Sequence, residues 1–130
     1  MMGAGRLEIF MHKVLIFAAA LLTASAAQAA DANNGKVVFG RCAVCHTTNK
    51  GGSNGLGPNL FGIVGRKAAS LPSFMYSGPM KASGITWTPD KLTAWISGPA
   101  RLVPGTKMAF GGISNPTQVA DVVAYLATLK

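Results

Sequence analysis

Cys42-Ala43-Val44-Cys45-His46 decides how this chain folds. The run is C-x-x-C-H, a spacing that reads as covalent attachment of a c-type haem. Each thiol can add to one vinyl group of a single porphyrin. The histidine directly after them then sits under the iron and supplies an imidazole nitrogen. Three other readings compete. A zinc half-site needs two further ligands, and the whole chain holds two Cys and two His. The second histidine, His12, lies in a segment expected to be removed. A thioredoxin-like dithiol calls for a βαβ context that the sequence pattern does not show. A tight Cys42–Cys45 disulfide stays open. The motif occurs once, so the expectation is one haem per chain.

Residues 1–29 read as a secretory signal peptide. His12-Lys13 gives a positive start, Val14 to Leu22 an apolar run, and Ala27-Gln28-Ala29 a small-x-small cleavage site. Met11 offers an alternative start, since residues 1–10 add nothing a leader requires. The apolar run is short beside the roughly 20 residues of a membrane span. Cleavage after Ala29 leaves residues 30–130 as a single domain. That part carries seven Lys and three Arg against three Asp, a net charge of +7. A basic domain first suggests nucleic acid. Helix-turn-helix pattern, arginine-rich run and aromatic stacking motif are all missing here, and export argues the same way, so no nucleic-acid partner is expected. Steering toward acidic protein partners fits better. A chain of this size buries a modest share of its surface, and fourteen of its sixteen glycines follow Ala29. A flat apolar cofactor would supply the missing core, so the apo chain is expected to be largely unfolded.

The pattern along the chain is all-α. A first helix is expected from about Asn34 to Cys42, with Val37, Val38 and Phe39 as its apolar side. Thr88-Pro89-Asp90 starts another: threonine caps, proline suits the first helical position and aspartate suits the positive helix end. Gly98-Pro99 is expected to stop it. Asn115-Pro116 repeats the signal, and Val119, Val122, Val123, Leu126 and Leu129 form one helical stripe. A short helix around Ser73 to Lys81 is expected to be interrupted by Gly78-Pro79. Residues 47–66 are a glycine-rich loop in which Gly57-Pro58-Asn59-Leu60-Phe61 argues against a plain linker. Glycines there let backbone run close to a flat ring. Nothing alternates with period two, so no sheet is expected.

His46 fills one side of the iron. After the leader there is no second histidine, and Met75, Met80 and Met108 are the candidates for the other side. A methionine is more often gap-filling core, which suits Met75 and Met80 in their apolar run. Met108 follows Val103-Pro104-Gly105-Thr106-Lys107, a loop that can present a thioether. On composition alone it stands about even with the others.

Over nearly all of residues 33–129 the chain resembles the class I c-type cytochromes, the small soluble bacterial kind similar to mitochondrial cytochrome c. The resemblance rests on the haem motif together with Gly57-Pro58-Asn59-Leu60-Phe61-Gly62, Gly65-Arg66-Lys67, Tyr76-Ser77, Gly84-Ile85-Thr86-Trp87, Pro104-Gly105-Thr106-Lys107-Met108 and Ala124-Tyr125-Leu126, in that order. It implies a small cytochrome c fold, three to five helices and Gly/Pro-rich loops around one covalent haem c. It implies attachment at Cys42 and Cys45, and iron ligation by His46 and Met108. Pro58 matches the residue whose carbonyl accepts the other ring proton of the histidine. Arg66, Tyr76 and Trp87 match groups that hydrogen-bond the propionates, and Thr106 matches one near the inner propionate. Gly35 and Tyr125 match the contact between first and last helices, and Phe110 matches the aromatic beside the haem edge. Trp95 stands where the family often has tyrosine, and Met80 where mitochondrial members have asparagine in a water network. The family's basic ring is thin here: Arg41, Arg101 and Lys107 match it, with Lys36, Lys50 and Lys67 nearby at best.

The implied function is one-electron transport in the periplasm, as part of a respiratory or photosynthetic chain, by a monomer that is not an enzyme. The implied partners are a quinol–cytochrome c reductase or periplasmic dehydrogenase as donor, and a terminal oxidase, reaction centre or nitrogen-oxide reductase as acceptor. Contact with the membrane complexes would be transient. Two alternatives are a dedicated electron-entry subunit of a dehydrogenase, and a haem sensor or enzyme with an open sixth position.

Overall fold

The computed structural model describes residues 29–130, so the expected leader, apart from Ala29, lies outside the described residues. Five α-helices follow one another: α1 Ala32–Val38, α2 Gly78–Ala82, α3 Pro89–Ser97, α4 Pro99–Leu102 and α5 Pro116–Ala127. A 3-10 turn, Phe39–Arg41, carries the chain from α1 into the cysteine motif. Among the described residues the strand pairing amounts to one isolated antiparallel bridge, Lys67 with Thr86. None of these helices is long and apolar enough to cross a membrane.

Four of the five helices, all but α4, start where an oxygen-bearing side chain meets free backbone N–H groups. Asp31 accepts from the N–H of Asn33 and Asn34. Ser77 accepts from Met80, Thr88 from Lys91, and Asn115 from Thr117 and Gln118. Proline occupies the first turn of α2, α3, α4 and α5. That habit corrects two expectations. Gly78-Pro79 begins α2 instead of interrupting a helix, because proline fits the first turn, where its missing N–H costs nothing. Gly98-Pro99 ends α3 but starts α4 at once.

The main packing is α1 across α5, with α3 against α5. Val119, Val122, Val123 and Leu126 of α5 are buried, as the stripe predicted. The α1 face is rotated from the expected one. Gly35, Val38 and Phe39 point inward, at i, i+3 and i+4, while Val37 is 76% exposed. Gly35 lets α1 lie directly on the Asp121 backbone, and the Phe39 and Tyr125 rings meet at 5.2 Å. Asp121 itself is buried. Its carboxylate accepts from the Asp31 backbone at 2.8 Å and the Asn34 side chain at 2.7 Å, tying the start of α1 to α5. Those bonds hold its pKa below the usual carboxylate value, the Asn34 bond foremost.

Candidate haem cavity

The helices and the loop between the 3-10 turn and α2 enclose a cavity of about 480 Å³, mostly apolar. Cys42, Cys45 and His46 border it, as do Pro58, Arg66, Tyr76, Trp87, Thr106 and Met108. Every site residue expected from the sequence therefore borders one space, although Cys42 and Met108 lie sixty-six residues apart. Phe110 and Trp95 border it as well.

The cysteine motif is fixed by its own turn. Backbone N–H groups of Cys45 and His46 both donate to the Cys42 carbonyl, at 3.0 and 2.9 Å. Both cysteines are half-buried free thiols, which removes the disulfide reading, and burial raises the Cys42 pKa. His46 is held from behind, with its Nδ1 2.7 Å from the Pro58 carbonyl oxygen. A carbonyl can only accept, so Nδ1 carries the proton. Burial lowers the His46 pKa against the opposing pull of that carbonyl, which favours the neutral ring. A neutral ring protonated at Nδ1 leaves the Nε2 lone pair free, as a metal ligand requires. Gly57 makes this possible. A Cβ there would come within 2.8 Å of both His46 ring nitrogens, so no other residue fits behind the imidazole.

Arg66 is half-buried. Its guanidinium donates to the carbonyls of Asn59 at 2.8 Å and Phe61 at 3.3 Å. Burial lowers its pKa, and the cavity lining holds no carboxylate to pair with it. Trp87 is placed beside it by backbone bonds: Trp87 N–H to the Arg66 carbonyl at 2.9 Å and Gly65 N–H to the Trp87 carbonyl at 2.8 Å. The Trp87 ring is buried and packs on Trp95 at 5.4 Å. The Tyr76 hydroxyl accepts from the Leu71 N–H at 3.3 Å. In the Met108 loop, Thr106 Oγ1 accepts from the Met108 N–H at 3.4 Å.

Of the other two methionines, Met80 is buried and borders the cavity. Met75 corrects the expectation of a core side chain. It is 78% exposed and lies away from the cavity, because residues 73–77 are not helical and carry it outward. Asn59 was missed. It is buried, and its side chain bonds Thr47 Oγ1 at 2.8 Å, the Asn49 carbonyl at 3.0 Å and the Phe61 N–H at 2.9 Å. It stiffens the loop that offers carbonyls to both His46 and Arg66. Its place after Gly57-Pro58 was the available signal.

The residues fit a haem: two thiols, an oriented imidazole and a thioether share one apolar cavity with an unpaired guanidinium. A family model described as Cytochrome c matches residues 32–130. Cytochrome c2 of Rhodomicrobium vannielii is 44% identical over 117 residues, covering 89% of this chain and 94% of that protein. Cytochrome c of Trypanosoma brucei brucei is 51% identical over 81 residues, covering 62% of this chain and 87% of its own. The solved structure of cytochrome cH from Methylobacterium extorquens matches with a TM-score of 0.71 at 44% identity, over 75% of this chain and 98% of that one. The chain belongs to the cytochrome c family. Proteins of this family carry one covalently attached haem c and are electron carriers that serve redox partner proteins, not enzymes.

Proposed function

We propose that the chain is a periplasmic one-electron carrier whose haem is attached through Cys42 and Cys45 and ligated by His46 and Met108. The observation that carries this reading is the His46 ring, held neutral with Nδ1 on the Pro58 carbonyl in the cavity that Met108 also borders. Haem c supplies, when bound, an iron that takes up and returns one electron. The chain's residues set the conditions. Pro58 fixes which nitrogen of His46 faces the metal. Arg66 lacks a carboxylate partner, so a propionate would complete its charge balance, and Tyr76, Trp87 and Thr106 border the same cavity with polar N–H or O–H groups to share that load. His46 is the one imidazole in the lining, which contains no Asp or Glu. That is thin material for acid–base catalysis and favours a carrier over a haem enzyme or sensor.

Export through the leader, with cleavage after Ala29, goes with this role. The match to the Rhodomicrobium cytochrome c2 runs over 117 residues, more than the 101 that follow Ala29. Donors would be a quinol–cytochrome c reductase or a periplasmic dehydrogenase, and acceptors a terminal oxidase, reaction centre or nitrogen-oxide reductase, each met briefly by a monomer.

Visible spectra of the oxidised and reduced holoprotein test the ligand set. The oxidised form should show the red methionine–iron charge-transfer band, and the reduced form should ignore carbon monoxide. Met108→Ala should lose the band and bind carbon monoxide, while Met75→Ala and Met80→Ala should keep wild-type behaviour. Ready carbon monoxide binding by the wild type would sink the reading.

A further inference from the structure

We propose that Asn54 is a positioning residue for His46: its side chain grips the Pro58–Asn59 peptide group from the N–H side and so strengthens the carbonyl's hold on the imidazole. The proposal rests on the reading that His46 ligates the iron, and adds a residue that sets how strongly it does so. One peptide group carries both contacts. Its carbonyl oxygen, that of Pro58, lies 2.7 Å from His46 Nδ1. Its N–H, that of Asn59, donates to Asn54 Oδ1 at 2.8 Å. A peptide group that donates at one end becomes a better acceptor at the other, because each bond polarises the next. Asn54 Oδ1, the Asn59 N–H, the Pro58 carbonyl and His46 Nδ1–H thus form one chain of hydrogen bonds ending on the ring. A firmer acceptor at Nδ1 leaves more electron density on the imidazole and raises its strength as a ligand.

The surroundings fix Asn54 in this role. Its oxygen faces an N–H, which sets the orientation of the amide. Its Nδ2 is left to donate to Ser73, at 3.1 Å to Oγ and 3.3 Å to the carbonyl. Ser73 comes from the segment before α2, nineteen residues on, so Asn54 is anchored from outside its own loop. That loop folds back on two glycines. A Cβ at Gly55 would stand 2.6 Å from the Cys45 carbonyl oxygen, and one at Gly57 would run into the His46 ring. Gly57 N–H donates to the same Cys45 carbonyl at 2.9 Å. These close approaches press residues 54–59 against the cysteine motif and bring the Asn54 side chain to the Asn59 N–H. Asn59 is buried, so that N–H depends on a protein acceptor. Asn54 is absent from the cavity lining and acts through the peptide.

The test is the redox equilibrium of the holoprotein with a soluble one-electron mediator, at high ionic strength so that added charge is screened. The proton NMR signal of His46 Nδ1–H in the reduced form is the second readout. Asn54→Leu keeps the shape of the side chain and offers no acceptor. Its weakened Pro58–His46 bond should shift the equilibrium roughly threefold toward reduced protein and move the Nδ1–H signal upfield. Asn54→Asp keeps the acceptor and loses its donor to Ser73. A carboxylate accepts more strongly than an amide, so this variant should move the Nδ1–H signal downfield and the equilibrium toward oxidised protein. A merely structural Asn54 would lower the Tm of the leucine variant and leave the equilibrium and the signal in place, which overturns the proposal. Should the leucine variant fail to assemble, the aspartate variant decides: an unmoved Nδ1–H signal, or a shift toward reduced protein, overturns it equally. A wild type whose His46 ring protons carry no shift from the haem would instead strike at the ligand reading.

Discussion

Gly35→Ala puts the α1–α5 contact to a quantitative test. A Cβ at residue 35 would stand 1.9 Å from the Asp121 carbonyl oxygen, 2.4 Å from its carbon and 3.0 Å from Tyr125 Cβ. Two of these are rigid backbone atoms of α5, so no side-chain rotation relieves the overlap. An ordinary contact of roughly 3.4 Å requires the helices to part by about 1.5 Å. A radial gap of about 1 Å already forfeits up to half of the dispersion between facing atoms, and the facing atoms here include Val38, Phe39 and Val122, all buried. Overpacking on this scale costs about 3 kcal/mol or more. Alanine's better helix propensity returns about 1 kcal/mol. The net loss of about 2 kcal/mol corresponds to a fall in Tm of about 8–16 °C for a domain of this size. The assay is thermal unfolding of the holoprotein followed by far-UV circular dichroism. Gly40→Ala is the control, because nothing lies within 4 Å of its Cβ position. It should leave Tm unchanged or raise it slightly. A Gly35→Ala Tm within about 3 °C of wild type would refute the steric argument.

Three further outcomes are expected. Removal of the haem should unfold the chain: leaving about 480 Å³ empty at roughly 24 cal/mol per Å³ costs about 12 kcal/mol, as much as a domain's whole stability of about 5–15 kcal/mol. A cooperative melt of the apo polypeptide would contradict this. Asp121 has a folded pKa below its ordinary 3.8, so its contribution is present above that value and is lost as pH falls through the folded pKa. The Tm gap between wild type and Asp121→Asn should thus be widest near neutral pH and close in acid; a gap that grows in acid would reverse the sign. Met80→Asn should lower the reduction potential, because a polar amide in place of a buried thioether favours the more charged oxidised iron. A buried dipole worth about 1 kcal/mol converts to about 40 mV for one electron, and an unchanged potential in spectroelectrochemical titration would dismiss the effect.

What the sequence made legible was local. Thr88-Pro89 and Asn115-Pro116 announce helices because the cap and its target N–H groups lie two or three residues apart. The same locality misleads at Gly78-Pro79, where a breaker in mid-pattern and a first-turn proline look alike until the preceding Ser77 is seen to cap. Val37 was placed on the wrong side of α1 because three consecutive apolar residues do not reveal which one faces away. That choice is made by Gly35, whose missing Cβ draws α1 onto Asp121, eighty-six residues on.

The site divides along the same line. Cys42, Cys45 and His46 are a sequential unit, and one turn of backbone arranges them. Arg66 and Trp87 needed the resemblance, because nothing in either segment says that their backbones pair. Asn59 and Asp121 escaped notice because a polar residue shows its burial only through its partners, and their partners come from other segments of the chain. Once in place, they fix what the local motif cannot. Asn59 holds rigid the loop whose Pro58 carbonyl orients His46 and whose Asn59 carbonyl anchors Arg66. The chemistry is therefore written in five adjacent residues, while the geometry that makes His46 a ligand depends on a buried amide thirteen residues later. Asn59→Ala should accordingly disturb the histidine side of the haem, although Asn59 is absent from the cavity lining.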